Sequence, residues 1–200
     1  RQRLIKCTIA VLITTIASFV FAEHIFNILI LPTEGINLIY IEMTEMIGTY
    51  MKVSLVSGII VAMPYLIYQF LMFVSPALTR KEKKYVYLVL PWVALMFTAG
   101  VTFGYFILIP PATKFLITFG SNIATPQIKV GNYISIVSRL LLAIGLVFEM
   151  PVVTTFLSRL GVITPKWLSD KRKPAIIISF VIAAIITPTF DPINQSLVAV

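Results

Sequence analysis

What most constrains this chain is a succession of apolar runs too long and too evenly apolar to be the inward faces of a water-soluble fold. Stretches such as YLIYQFLMFV and AIIISFVIAAII are apolar all round. They lack both the polar face of an amphipathic helix and the period-two alternation of a membrane-barrel strand. A helix needs roughly 20 residues to cross ~30 Å of hydrocarbon, and the sequence holds about five such segments. With 58% hydrophobic and 12% charged residues and a mean hydropathy of +0.97, a water-soluble domain is excluded. The fold class is all-α, a polytopic membrane protein forming a single transmembrane domain.

The charges orient the spans. Approximate spans are 5–22, 53–74, 85–109, 134–157 and 175–187, with a sixth helix starting near 192–195 and truncated. Arg1, Arg3 and Lys6 precede the first span; Arg80, Lys81, Lys83 and Lys84 follow the second; Arg159, Lys166, Lys171, Arg172 and Lys173 follow the fourth. These segments hold 12 of the 16 basic residues, whereas five of the eight acids (Glu23, Glu34, Glu42, Glu45 and Asp191) fall in the outer segments. The positive-inside rule makes the basic segments and the N-terminus cytoplasmic. The net charge of +8 is thereby a property of topology, and nucleic acid is not a partner. Pro174 and Pro188 fence the fifth span to 13 residues, ~20 Å at 1.5 Å each, so it is a short helix that other subunits or a thinned bilayer must accommodate. The chain starts with Arg and stops five residues into its sixth apolar segment, and so reads as a fragment clipped at both ends.

Redox and metal chemistry find no purchase. Cys7 is the sole cysteine and His24 the sole histidine, so no cluster of soft ligands exists to hold a metal, and no cofactor is expected. A small buried hydrophobe and an interfacial side chain account for them. An intramembrane hydrolase lacks its nucleophile and base, there being no His within a span and no paired acid.

Some polar residues resist a bland explanation. Glu149 sits well inside the fourth apolar run, where an ionised carboxylate costs at least several kcal/mol unless protonated, paired or facing water. Arg139 is ten residues away, ~15 Å along the helix and about 80° around it, so the two do not pair directly. Arg139 and Lys52 snorkel to the interface, while Gln69 and Gln195 hydrogen-bond within the bundle. Asp191 before Pro192 is ordinary helix-start chemistry. Pro64 bends the second helix, and Gly100 and Gly104 form a GxxxG spacing that permits close helix approach. In the inner loop FVSPALTRKEKKYV, Glu82 is an acid among cations that the positive-inside rule does not require. A screened surface ion pair worth about 0–1 kcal/mol would explain it. So would a cationic ligand, because a guanidinium presents a fork that a carboxylate accepts in bidentate fashion, with Phe73, Pro76 and Leu78 adding apolar contact.

Three stretches in order, YLIYQFLMFVSPALTRKEKK, GLVFEMP and ITPTFDPINQSLVA, together with the opening RQRL, strongly resemble TatC, the polytopic subunit of the twin-arginine protein translocase. The resemblance runs through the whole chain. It implies a six-helix bundle, N-in and C-in, whose last two helices are short, in the bacterial cytoplasmic (inner) membrane. It implies a receptor for twin-arginine signal peptides of folded cargo, which with TatA- and TatB-type single-span subunits exports that cargo using the proton-motive force, making and breaking no bond. By position, Phe73, Pro76, Leu78 and Glu82 match the signal-peptide recognition patch, and Glu149 an intramembrane polar position where some relatives carry Gln. Thr187, Asp191 and Gln195 match the outer-turn motif linked to partner contact and transport. Pro32 matches a proline of the first outer loop, and Tyr105 an aromatic near the outer end of the third helix. The Thr-to-Asp interval is one residue longer than in some relatives, so Thr189 competes with Thr187. The family's second recognition acid falls just before Arg1, outside this sequence. The alternative reading, an ion-coupled small-solute transporter using Glu149 and Asp191, calls for a pair of broken helices in matching halves, and none is visible.

Overall fold

The computed structural model describes residues 2–33, 38–74, 80–118, 127–159, 161, 163–186, 195–196 and 199. Along the chain these form α1 (Gln2–Val20), α2 (Ala22–Ile30), a 3₁₀ turn (Leu31–Thr33), α3 (Glu45–Val74) and α4 (Arg80–Phe103). A π-helical turn (Gly104–Leu108), α5 (Ile109–Thr118), α6 (Val130–Phe148), α7 (Met150–Arg159), α8 (Pro165–Asp170) and α9 (Arg172–Ile186) follow. No β-strand occurs among the described residues, and one isolated parallel bridge joins Ile39 to Lys129. Among the described residues, four stretches are long and apolar enough to span a bilayer: Gln2–Val20, Glu45–Phe73, Leu88–Phe115 and Val130–Arg159. Lipid offers no hydrogen bonds to a bare backbone, so apolar sequence of this length must be helical.

Side-chain contacts fix the directions. Thr15 of α1 lies against Gly58 of α3, and the Phe26 ring of α2 stacks on Tyr50 at 5.2 Å, so α1 and α2 run antiparallel to α3. Along α4, Val93 packs with Phe156, Gly100 meets Phe148 and Gly145, and Gly104 faces Leu141 and Ile144. That order makes α4 antiparallel to α6 and α7. Glu45 and Lys52 of α3 reach Gly131 and Ser135 of α6, so those two helices run parallel. The result is an up-and-down bundle in which successive long helices cross in opposite senses.

Prolines shape the long helices. Pro110 and Pro111 carry no N–H, and just before them the helix widens into the π-turn, where the Ile109 N–H bonds the Gly104 carbonyl five residues back. The helix then continues to Thr118, beyond the apolar run that ends at Ile109. Pro151 likewise cannot donate to Val147, and the fourth run is interrupted at Glu149, between α6 and α7. By contrast α3 passes through Pro64 without a break. It also starts at Glu45, eight residues before the apolar run at Val53.

The Glu45 carboxylate, in the first turn of α3, binds backbone outside its own helix. Its two oxygens accept the backbone N–H of Ile41 at 3.0 Å and of Gly131, in the first turn of α6, at 3.2 Å. Alongside, the Ile39 N–H donates to Ile128 O and the Val130 N–H to Ile39 O, each at 3.0 Å. One carboxylate thus ties the segment after Asn37 to the start of α6. Glu45→Ala is expected to leave the helices in place while amide exchange at Ile41 and Gly131 accelerates; unchanged protection at both amides would show that the tie carries no load.

Candidate functional site

The two ends of the bundle have different character. At one end, α2 finishes in the turn that contains Pro32. Pro32 carries no N–H, and the Ile28 carbonyl accepts the Leu31 N–H, which is shared with Asn27 O. The Tyr105 hydroxyl, presented from the π-turn, donates to that same Ile28 oxygen at 2.7 Å. Next to it the Tyr133 hydroxyl of α6 donates to Leu29 O at 3.0 Å. Helix ends leave carbonyls short of intrahelical donors, and here two phenols from two other elements add hydrogen bonds, the one at Ile28 O beside the Leu31 N–H. Beneath them Phe26, Leu29, Val53, Ile109, Tyr133 and Ile134 form the largest buried apolar cluster. Pro32 and Tyr105 are thus brought to the same end of α2. Tyr133 and Glu45 belong to the same assembly without having stood out in the sequence. A tyrosine in an apolar run reads as an interfacial aromatic, and Glu45 as one more outer acid.

Midway along the bundle lies Glu149. The residue is 3% exposed, and neither carboxyl oxygen has a hydrogen-bond partner among the described residues, Arg139 included. Its backbone bridges the interruption: the Glu149 N–H donates to Leu146 O at 3.1 Å, and its carbonyl accepts the Val153 N–H at 2.9 Å. A glycine crossing lies immediately beside it, where Gly100 of α4 and Gly145 of α6 let the backbones close against Phe148 and Phe97. An unpartnered carboxylate in such surroundings is costly, so this position calls for a donor: the carboxyl's own proton, or a polar group from a partner.

At the other end, Phe73 is the penultimate residue of α3 and is 69% exposed. Glu82 is the third residue of α4, so both flank the α3–α4 connection; its side chain lies outside the described set. Pro76, Leu78, Thr187 and Asp191 lie outside the described residues, as does Thr189. Gln195 is described, and its amide donates to Phe180 O of α9 at 3.3 Å. Of the other polar residues, Gln69 donates to Tyr65 Oη within α3 at 2.6 Å, and the Lys52 amine donates to Ser135 Oγ at 3.3 Å. α9 has 15 residues and leaves Ile176, Ile177, Ile178 and Val181 exposed. At about 22 Å it is shorter than the hydrocarbon core of ~30 Å.

Such a bundle, apolar outside, pinned at one end by side-chain caps and carrying a carboxyl at mid-depth, defines a multispanning helical membrane protein. The family model described as "Sec-independent protein translocase protein (TatC)" matches residues 1–200. The chain belongs to the TatC family, the polytopic subunits of a protein translocase. It is 36% identical over 201 residues to the TatC protein of Carboxydothermus hydrogenoformans, covering 100% of this chain and 83% of that protein. With the Aquifex aeolicus TatC protein it shares 42% identity over 206 residues, covering 100% and 85% respectively. The solved structure described as "Crystal Structure of Twin Arginine Translocase Receptor- TatC" superposes with a TM-score of 0.85 at 42% identity, over 100% of this chain and 89% of that one. A second crystal structure of that receptor, in DDM, gives a TM-score of 0.88. The solute-transporter alternative has no support, since the match to the translocase family takes in every residue on which it rested.

Proposed function

We propose that the chain is the signal-peptide receptor and core subunit of the twin-arginine translocase, seated in the bacterial cytoplasmic membrane with its N-terminus inside. It binds the twin-arginine signal peptides of folded cargo and exports that cargo with TatA- and TatB-type single-span subunits at the expense of the proton-motive force. The observation that carries this reading is the whole-chain match to TatC combined with an acid in an otherwise basic connection, Glu82 between Lys81 and Lys83. The cations keep this end of the hairpin on the cytoplasmic side, and a lone carboxylate among them can accept a guanidinium in bidentate fashion. Phe73, Pro76 and Leu78 supply the apolar border of the same patch. Glu149 offers a polar contact within the membrane to a partner helix or to the inserted peptide. The outer-turn residues Thr187, Asp191 and Gln195 serve contact with partner subunits, next to the uncovered apolar row of the short α9.

An acid at the third position of a helix is also favoured by the positive N-terminal end of that helix, so the test must separate binding from folding. In the full-length protein, Glu82→Gln is expected to weaken photo-crosslinking of a twin-arginine signal peptide about tenfold, ~1.4 kcal/mol, with Glu82→Lys weakening it further. A Lys-Lys peptide should crosslink poorly to all three proteins, and the thermal midpoint should stay put. Equal crosslinking of both peptides to wild type and variants would overturn the receptor assignment.

A further inference from the structure

Between α4 and α7 runs a groove of about 360 Å³, lined among the described residues by Leu88, Trp92 and Met96 on one wall and Val152, Thr155 and Arg159 on the other. We propose that this groove binds the acyl chain of an anionic phospholipid whose headgroup phosphate meets the Arg159 guanidinium. Length is the first argument. The walls run from Leu88 to Met96 and from Val152 to Arg159, about 10–12 Å of helix rise, which covers most of one leaflet of a ~30 Å core but not both. The antiparallel course of the two helices puts Leu88 beside Arg159 at one end of the groove and Met96 beside Val152 at the other, one turn of helix from Glu149. A slot that begins at the interface and stops near mid-membrane matches one lipid chain.

Width is the second argument. A membrane-spanning helix is about 10–12 Å across and must continue for ~30 Å, too broad and too long for this volume, which lies at the small end of the roughly 300–1,000 Å³ range of ligand pockets. Charge is the third. Apolar side chains dominate the walls, and the cation stands at the end of α7, the last residue of the fourth membrane-length stretch. Thr155 does not compete for the ligand, since its hydroxyl donates to Pro151 O at 2.7 Å. Arginine is suited to phosphate because its planar fork can donate two parallel hydrogen bonds. The leaflet concerned, the cytoplasmic one, rests on the orientation proposed above; the preference for an anionic lipid does not.

Trp92 is 55% exposed on the groove wall and serves as the reporter. The chain's other tryptophan is Trp167. The experiment uses full-length protein in which Trp92 is the only tryptophan, reconstituted into phosphatidylcholine vesicles with a minority of phosphatidylglycerol in both leaflets, so the result is independent of orientation. Bromine is placed on the chains of one lipid or the other. Trp92 fluorescence should be quenched about fivefold more per molecule by brominated phosphatidylglycerol, equivalent to ~1 kcal/mol for a basic residue near anionic lipid. Arg159→Gln should abolish the preference, Arg159→Lys should keep part of it, and high salt should reduce it. Equal quenching by the two lipids overturns the proposal, as does a preference that survives Arg159→Gln. Absence of quenching by either also overturns it, because protein, a partner helix or a second copy, would then fill the groove.

Discussion

Gly100→Leu is expected to lower the thermal midpoint of the detergent-purified protein by about 6–12 °C, the equivalent of roughly 3 kcal/mol for a chain of this size. The cause is the crossing of α4 and α6. A Cβ on Gly100 would lie 2.7 Å from Phe148 Cβ and 3.2 Å from Gly145 Cα, atoms fixed to the opposing backbone that cannot swing aside. Gly145 is no more accommodating, since a Cβ there would meet Phe97 Cε2 at 2.7 Å, and Phe97 is only 2% exposed. In lipid the helices gain nothing from hiding apolar surface from each other, so close van der Waals contact is what holds such a crossing. Forcing it open forfeits that contact along α4 and disturbs Glu149, which follows Phe148 directly. Gly48→Ala is the control: nothing lies within 4 Å of a Cβ there, so it should be neutral or slightly stabilising. A midpoint for Gly100→Leu within a degree or two of wild type would show that the crossing is not held by contact at these glycines.

Removing the second phenol is expected to be the next most costly change. Tyr133→Phe should destabilise the protein by about 1–2 kcal/mol, in the upper range for hydrogen bonds between membrane helices, because Tyr133 is 5% exposed and water cannot readily replace its hydroxyl at Leu29 O. Tyr105→Phe should cost less, since that side chain is only half-buried. The sharper expectation is a coupling. Pro32→Ala supplies a further backbone N–H near Ile28 O, which already accepts the Leu31 N–H, so in that background Tyr105→Phe should lose part of its effect. A double-mutant cycle read by thermal or denaturant unfolding measures this directly. Full additivity of Pro32→Ala and Tyr105→Phe would mean that the two residues act separately, against the shared acceptor.

Several features were legible in the sequence because they depend on local chemistry. The apolar runs demanded helices. The GxxxG spacing at Gly100 and Gly104 marked a face of close approach, and both glycines do face α6. Glu149 stood out because a carboxylate inside an apolar run has no ordinary explanation. Other features were hidden for an equally physical reason. Gly145 is the counterpart of Gly100 only through the register of two helices that lie forty-five residues apart in the chain. Tyr133 looks like any interfacial aromatic until α6 brings it to the end of α2. Pro151 stands two residues after Glu149, yet nothing local says whether a proline will interrupt a helix, as here, or be passed over, as Pro64 is in α3.

The sequence by itself determined that this chain is a helical membrane protein and which stretches carry the cations, since hydropathy and charge act residue by residue on transfer between water and hydrocarbon. Only the tertiary structure decided which carbonyl each tyrosine caps, which backbones touch at the glycine crossing, and that the Glu45 carboxylate ties α3 to the start of α6. A hydrogen bond or a van der Waals contact needs its partner within a few ångströms, and distance along the chain says nothing about that until the helices have packed.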